Sequence, residues 1–491
     1  MDCNPDGKNM STEFEHYLEK IKEIGYVQKG VVGIVEISGL PGIRAGEMVC
    51  FETGQVGQVL AYSNDKIEVQ VLSKRSVKIG TRVVRTDHRL AVPVSDQILG
   101  KMIGALGQEV RGQVAEKDVV YRPIDVTPVG ISGRQKITRS LLTGIILTDL
   151  MVPLGKGQRE LILGDRKTGK SLLVLQAMVN QAKEGSVCIY AAIGKKKTEI
   201  MKAESFFKAQ GIMDKTVIVA SSSQDSAAEI YICPYTAMAI AEYFRDQGRD
   251  VLVVLDDMTT HAKFYREISL LSRKFPGRDS YPGDIFYTHS KLLERAGNFL
   301  VDGKDVSITC LPIAETVQGD ISGYIQTNLM SMTDGHIYFD NELFSRGQRP
   351  AINPFVSVTR VGRQTQTALR RDAGRMLFEL LNAYVRAQSF LKFGAELGEN
   401  SRQVLTTGDM IMKFFNQPLN LVIPINVQLA MLGLLISGIW NGEEIGKVVG
   451  AYEKNAVFKK LIDQLVDGSL TMDKLMQEAR KSADAVLAIL A

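Results

Sequence analysis

Gly164-Asp165-Arg166-Lys167-Thr168-Gly169-Lys170-Ser171 fits the pattern GxxxxGK[ST], and it stands between a stretch read as a strand, Gln158 to Leu163, and a helical stretch that begins near Ser171. A strand, a glycine-bearing loop and a helix in that order make a cradle for a phosphate chain. Glycines let the loop turn its backbone N–H groups inward, and a helix N-terminus favours negative charge. Lys170 would then reach the β and γ phosphates, and the Ser171 hydroxyl would take a Mg²⁺ position. The bland reading is a glycine-rich turn; the flanking strand and helix argue against it.

Around this loop, from about Leu90 to Thr359, apolar runs alternate with helical segments. Val187 to Ile193, Thr216 to Ala220, Val251 to Leu255 and Val306 to Leu311 read as buried strands, and such alternation favours a parallel sheet flanked by helices. Val251-Leu252-Val253-Val254-Leu255-Asp256-Asp257 ends in two carboxylates. A strand-end acid is how a metal ligand reaches bound phosphate, and Asp256 is the expected metal-side residue; either aspartate alone could instead cap the next helix.

Hydrolysis also needs a group to orient the attacking water and a cation to neutralise developing charge. A glutamate is expected just after the next strand, yet Gly194-Lys195-Lys196-Lys197-Thr198-Glu199 stands there. Lysine cannot serve as that base, and Glu199 lies one helical step away. A solvated lysine face and a role in phosphate binding both remain open. For the cation, Arg360 in Ser357-Val358-Thr359-Arg360-Val361-Gly362 is the candidate, although by chemistry alone it reads as a surface arginine.

The rest of the chain differs in style. From Gly30 to Val84, short β-branched runs are punctuated by glycines, the pattern of a small barrel or sandwich. After about Arg370, Met376-Leu377, Leu380-Leu381, Tyr384, Ala387 and Leu391 recur at helical spacing. At 491 residues the chain exceeds one core, and 45% hydrophobic with 23% charged residues excludes disorder. A net charge of +4 offers no case for nucleic-acid binding. Cys3, Cys50, Cys188, Cys233 and Cys310 are scattered and form no CxxC pair, so reduced core thiols are expected. Met1 to Lys22 carries no apolar run of signal-peptide length. Phe414 to Gly442 has no charge, but Asn416, Gln417, Asn420, Pro424, Asn426 and Gln428 favour a buried loop and helix over a membrane span.

Several blocks together resemble one family, the α subunit of the rotary F-type ATP synthase. The phosphate loop resembles that subunit's GDRxTGK[ST] form. Pro276-Gly277-Arg278-Asp279-Ser280-Tyr281-Pro282-Gly283-Asp284-Ile285-Phe286-Tyr287 resembles its PGRxxYPGDxFY segment, and Thr333-Asp334-Gly335, Arg349-Pro350-Ala351-Ile352-Asn353 and Ser357 to Gly362 follow in order. The resemblance covers roughly residues 28 to 410.

It implies a multi-domain chain: an N-terminal β-barrel (1–90), a central RecA-like α/β P-loop nucleotide-binding domain (91–370) and a C-terminal α-helical domain (371–491). It implies that Gly164, Asp165, Arg166, Lys167, Thr168, Gly169, Lys170 and Ser171 hold the phosphates of ATP or ADP, with Ser171 and Asp256 serving Mg²⁺, and that Arg349 and Pro350 lie near adenine. Arg360 becomes the arginine sent into a neighbouring catalytic β-type subunit, with Ser331 near the same boundary. The site itself is expected not to hydrolyse, since the family has glutamine where Lys195 stands. Implied partners are β-type subunits in an alternating hexamer, a γ-type central stalk and a peripheral stalk, with no nucleic acid. The bilayer is met only through the complex, at the cytoplasmic face of the cell membrane. A hydrolysis-dedicated variant of that machine and a self-sufficient hexameric export or translocase ATPase are the alternatives. Three departures stand out: Ser357-Val358-Thr359 replaces S-x-S, the stretch at Phe414-Phe415-Asn416-Gln417 lacks the family's paired glutamines, and the N-terminus is atypical.

Overall fold

The computed structural model describes residues 10–31, 33–63, 65–110, 118–392, 398–418, 420–441, 444–484 and 486. Along the chain it passes from a closed antiparallel barrel through an α/β region to a run of helices.

The barrel strands are β1 (Gly25–Val31), β2 (Ile34–Ser38), β3 (Glu47–Phe51), β4 (Val56–Tyr62), β5 (Ile67–Val71) and β6 (Arg82–Arg89), hydrogen-bonded in the order β1-β2-β5-β4-β3-β6. β6 pairs with both β3 and β1, at Cys50↔Val84 and Gly25↔Val83, which closes the sheet and decides for a barrel over a sandwich. Period-two alternation turns Val35, Ile37, Val49, Phe51, Val69 and Val83 into its interior. Outside, the helix Met10–Ile21 packs Phe14 and Tyr17 against Cys50 and Val84.

The chain divides into two compact units. The first takes Met1–Gln135, Gly185–Glu315 and Ser322–Thr333; the second takes Lys136–Glu184, Thr316–Ile321 and Asp334–Ala491. In the first, the strands Lys304–Glu315, Val251–Asp256, Val187–Lys195, Thr216–Ser222 and Met102–Gly104 lie side by side in that order and parallel. Their central residues are buried, which is why they read as unbroken apolar runs. Polar ends extend them beyond the apolar cores: Ser221 and Ser222 stay in the ladder after Ala220. The helix Ala227–Asp246 covers this sheet, started by a capping box between Ser226 and Glu229.

In the second unit, Leu161–Gly164 pairs in parallel with Gly335–Phe339, on whose other side Val358–Thr359 runs antiparallel. The strand before the phosphate loop begins at Leu161, after the polar residues Gln158, Arg159 and Glu160, of which Gln158 is buried and donates to Glu160 at 2.6 Å. The helices Ala368–Lys392, Glu399–Phe415, Ile425–Ile436, Ile445–Lys454, Ala456–Asp467 and Met472–Lys481 complete this unit. Gly408 lets two of them touch, since a Cβ there would sit 2.0 Å from the Tyr384 ring. The charge-free segment resolves into a loop and the 12-residue helix Ile425–Ile436, with Pro424 at its N-cap. Among the described residues no helix is long and apolar enough to cross a membrane.

Cys50, Cys188, Cys233 and Cys310 are buried and unbridged, and burial pushes the Cys188 and Cys233 thiols up to about 12. Cys3 lies outside the described residues.

Candidate functional site

The phosphate loop bridges the strand Leu161–Gly164 and the helix Lys170–Lys183. Gly169 adopts a left-handed conformation (φ +102°) that releases the chain into the helix. Gly164 lies so close to Phe339 that a Cβ would meet that residue's Cβ at 2.6 Å and its carbonyl oxygen at 2.8 Å. The loop closes on itself: the Thr168 hydroxyl donates to the Asp165 carbonyl at 2.8 Å, and Lys170 Nζ donates to the Gly164 carbonyl at 2.7 Å. Arg166 and Lys167 point into solvent, whereas Thr168 and Lys170 are buried. Ser171 follows in the first helical turn.

Asp165 braces the loop from outside. Its carboxylate accepts from the Thr316 hydroxyl, the Asn341 amide and the Gly319 N–H, the last at 3.0 and 3.1 Å. Burial raises its pKa, but these donors outweigh burial and hold the carboxyl below the usual range. None of these partners is visible from the loop motif, since they come from strand pairings made more than 150 residues later.

Arg349 and Pro350 are joined by a cis peptide bond. The Arg349 guanidinium stacks 3.7 Å over the Phe344 ring and donates to the Phe344 carbonyl at 2.8 Å. Asn416 accepts from the Arg349 N–H at 3.0 Å, and the Gln417 N–H donates to the Arg349 carbonyl at 2.7 Å. The Gln417 side chain turns away, taking the Ile146 N–H at 3.1 Å and donating to the Gly144 carbonyl at 2.8 Å. Asn416 therefore holds the Arg349 backbone with its side-chain oxygen, and Gln417 holds it with its own N–H.

Arg360 follows the short strand Val358–Thr359, with its side chain exposed. Its N–H donates to the Asp334 carbonyl at 3.0 Å, and Asp334 is held by Arg159 through contacts of 2.8 and 3.2 Å. Thr359 donates to the Pro153 carbonyl at 2.9 Å and accepts the Gly362 N–H at 3.1 Å, so both sides of the arginine are pinned. Glu160, behind it, is pushed well above the carboxylate range by burial and by Asp334, while the Arg360 charge opposes that shift. The strand Gly335–Phe339 connects the two features: Phe339 pairs with Gly164, and Gly335 pairs with Thr359. Ser331 is exposed and bonds its own helix, at 2.6 Å to the Asn328 carbonyl.

In the first unit, strand register sets Asp256 beside Ala192, so both reach the strands' C-terminal edge. Lys195 Nζ lies 2.5 Å from Asp256 Oδ1 and 3.4 Å from Asp257 Oδ2. The other Asp256 oxygen accepts from the Tyr190 hydroxyl at 2.7 Å. Asp257 also caps the helix Met258–Leu271, accepting from the Thr260 N–H at 2.6 Å. Burial alone would lower the Lys195 pKa, but Asp256 and Asp257 raise it above the ordinary lysine value. Burial raises Asp257, against the pull of Lys195. Lys195 thus turns inward, whereas Lys196, Lys197 and Glu199 are exposed. Each Asp256 oxygen meets one protein group, Lys195 or Tyr190, and keeps a further lone-pair direction through which it could serve a Mg²⁺ ion or its waters.

Residues 144–359 match the model of the ATP synthase alpha/beta family, nucleotide-binding domain. The chain is 44% identical to ATP synthase subunit alpha of Caldanaerobacter subterraneus subsp. tengcongensis, over 81% of this chain and 79% of that one. It is 36% identical to that of Clostridium acetobutylicum, over 96% and 95% of the two chains, and 39% identical to that of Lactobacillus acidophilus, over 87% and 85%.

Proposed function

The chain belongs to the ATP synthase subunit alpha family, and from that premise we propose that it binds ATP or ADP without hydrolysing it while completing the catalytic site of a neighbouring β-type subunit. The observation that carries this reading is Arg360: an exposed guanidinium on a base pinned by Asp334, Thr359 and Gly362. A cation held ready at a subunit edge costs little reorganisation when charge develops on a γ phosphate, and such an arginine is worth orders of magnitude in rate.

At the chain's own site, backbone N–H groups of Gly164 to Ser171 and the Lys170 ammonium would hold the phosphates, with Arg349 and Pro350 beside the base. In support of binding without hydrolysis, Lys195 stands at the position where the family resemblance puts the water-orienting residue, and a lysine paired with Asp256 and Asp257 cannot act as that base. The subunit would alternate with β-type chains around a γ-type stalk and lie peripherally on the cytoplasmic face of the membrane through the complex, coupled to proton or sodium transport. Lys195 also tells against the self-sufficient export or translocase reading, which requires a base.

The test is Arg360→Lys in a reconstituted complex. Assembly should persist while turnover falls by about 10³-fold or more. Turnover within a factor of about two of the parent removes Arg360 from the reaction, and ATP hydrolysis by the purified chain alone removes the non-catalytic assignment.

A further inference from the structure

We propose that Glu160 is the positioning residue for Arg360: its buried carboxyl group, held against the strand Val358–Thr359, decides whether the guanidinium faces outward to a neighbour's phosphate or is drawn back onto this chain. The inference rests on the role proposed for Arg360 in the neighbouring catalytic site.

All the groups concerned lie in the second unit. Glu160 is fully buried, one residue before the strand Leu161–Gly164. Its Oε2 accepts from the Gln158 amide at 2.6 Å, and the same amide nitrogen reaches Thr359 Oγ1 at 3.3 Å, so the carboxyl is tied to the residue that precedes Arg360. Oε1 has no hydrogen-bond partner among the described residues. The carboxyl and the Val358 carbonyl crowd one spot over Gly335, where a Cβ would lie 2.2 Å from the carbonyl oxygen and 2.6 and 2.9 Å from the two carboxyl oxygens. A carboxylate there sets negative charge against a carbonyl oxygen and leaves one of its own oxygens unsolvated; a carboxylic acid presents an O–H instead. Burial accordingly pushes Glu160 well above the usual carboxylate range, against its Gln158 hydrogen bond, while Asp334 adds to the rise and Arg360 opposes it.

The other charged groups at this place are engaged or neutral. The Asp334 carboxylate is held by Arg159 at 2.8 and 3.2 Å. His336, whose Nε2 meets the Val356 carbonyl at 2.9 Å, is lowered by burial and so stays neutral above about pH 7. As a neutral acid Glu160 makes no claim on Arg360, whose exposed side chain forms no ion pair among the described residues. Once ionised, Glu160 is a buried anion with that uncommitted guanidinium within the range of its charge, and the attraction acts on both.

The measurement is the rate at which phenylglyoxal modifies Arg360 in the full chain, read by mass spectrometry relative to the exposed Arg402, at about pH 7 and about pH 9.5, a span covering the range where buried glutamates ionise. In the parent the relative rate should fall about tenfold as Glu160 ionises and engages the guanidinium. Glu160→Gln, neutral at every pH, should hold that ratio within about twofold, and in a reconstituted complex the parent-to-variant ratio of turnover should fall in step as the pH rises. A parent rate constant within about twofold overturns the inference, whether or not the variant folds. A fall that Glu160→Gln shares also overturns it, because another group is then titrating. If modification responds as expected while the turnover ratio stays flat, Glu160 governs Arg360 but Arg360 takes no part in the reaction, and the role proposed for it in the neighbouring site is what falls.

Discussion

Gly362→Ala tests whether the Arg360 base is as rigid as its contacts imply. A Cβ at Gly362 would lie 1.6 Å from the Pro153 carbonyl oxygen and 2.8 Å from Thr359 Oγ1, whereas ordinary contact begins near 3.4 Å. The oxygen belongs to backbone and cannot swing aside as a side chain would. It also accepts the Thr359 hydroxyl at 2.9 Å, and Thr359 in turn accepts the Gly362 N–H at 3.1 Å, so relief of the clash breaks both bonds. Two net hydrogen bonds at roughly 1 kcal/mol each, with overpacking strain of about 1–3 kcal/mol, give about 3–5 kcal/mol of local destabilisation. Hydrogen exchange read by mass spectrometry on a peptide spanning residues 357–365 measures this directly, because the Arg360 N–H is protected by its 3.0 Å bond to Asp334. Exchange there should quicken at least about 100-fold, while barrel peptides keep their protection. Unchanged protection of that peptide would show that the clasp around Arg360 is not what holds it.

Three further outcomes follow from other parts of the chain. Gln417→Ala leaves the buried Ile146 N–H without its acceptor, and the urea midpoint of the transition involving the second unit should drop by the equivalent of about 1–3 kcal/mol; an unchanged midpoint contradicts the assignment. Gly450→Ala, in the helix Ile445–Lys454 with nothing within 4 Å of the new Cβ, should instead stabilise by about 0.5–1 kcal/mol, and a loss in the same titration would count against that geometry. His261 and His289 share a contact of 3.1 Å in the core, where burial lowers His261 to about 4 and His289 well below its ordinary value. The unfolded chain therefore binds more protons between about pH 6.5 and 4, so His261 alone should cost about 2 kcal/mol of stability between pH 7 and 5. A urea midpoint flat across that range refutes this, and His261→Asn should reduce the loss.

The legible parts of this molecule are those governed by local pattern. The phosphate loop declares itself through residue types at fixed spacing, the barrel through alternating β-branched runs broken by glycines, and the helical end through apolar residues at 3.6-residue intervals. What spacing cannot show is which distant side chain meets a motif. Asn416 reaches Arg349 across 67 residues, and Asp165 finds Asn341 across 176. Three consecutive lysines give no hint that Lys195 alone turns inward; that depends on the register placing Asp256 beside Ala192. Arg360 was the reverse case, a residue unremarkable by its own chemistry whose exposure acquires meaning only from the family's arrangement.

The barrel's strand order carries a consequence for how the chain is made. β1 cannot be sealed until β6 exists, since Gly25 pairs with Val83 and Tyr26 with Arg82. At synthesis rates of about 5–20 residues per second, roughly 3–13 s separate the emergence of Gly25 from that of Arg89. During that interval β1 and β3 each present an unpaired edge, the kind of template on which two nascent chains on neighbouring ribosomes can join. Truncations or stalls before β6 should therefore leave both edges open and favour aggregates seeded by the first strands.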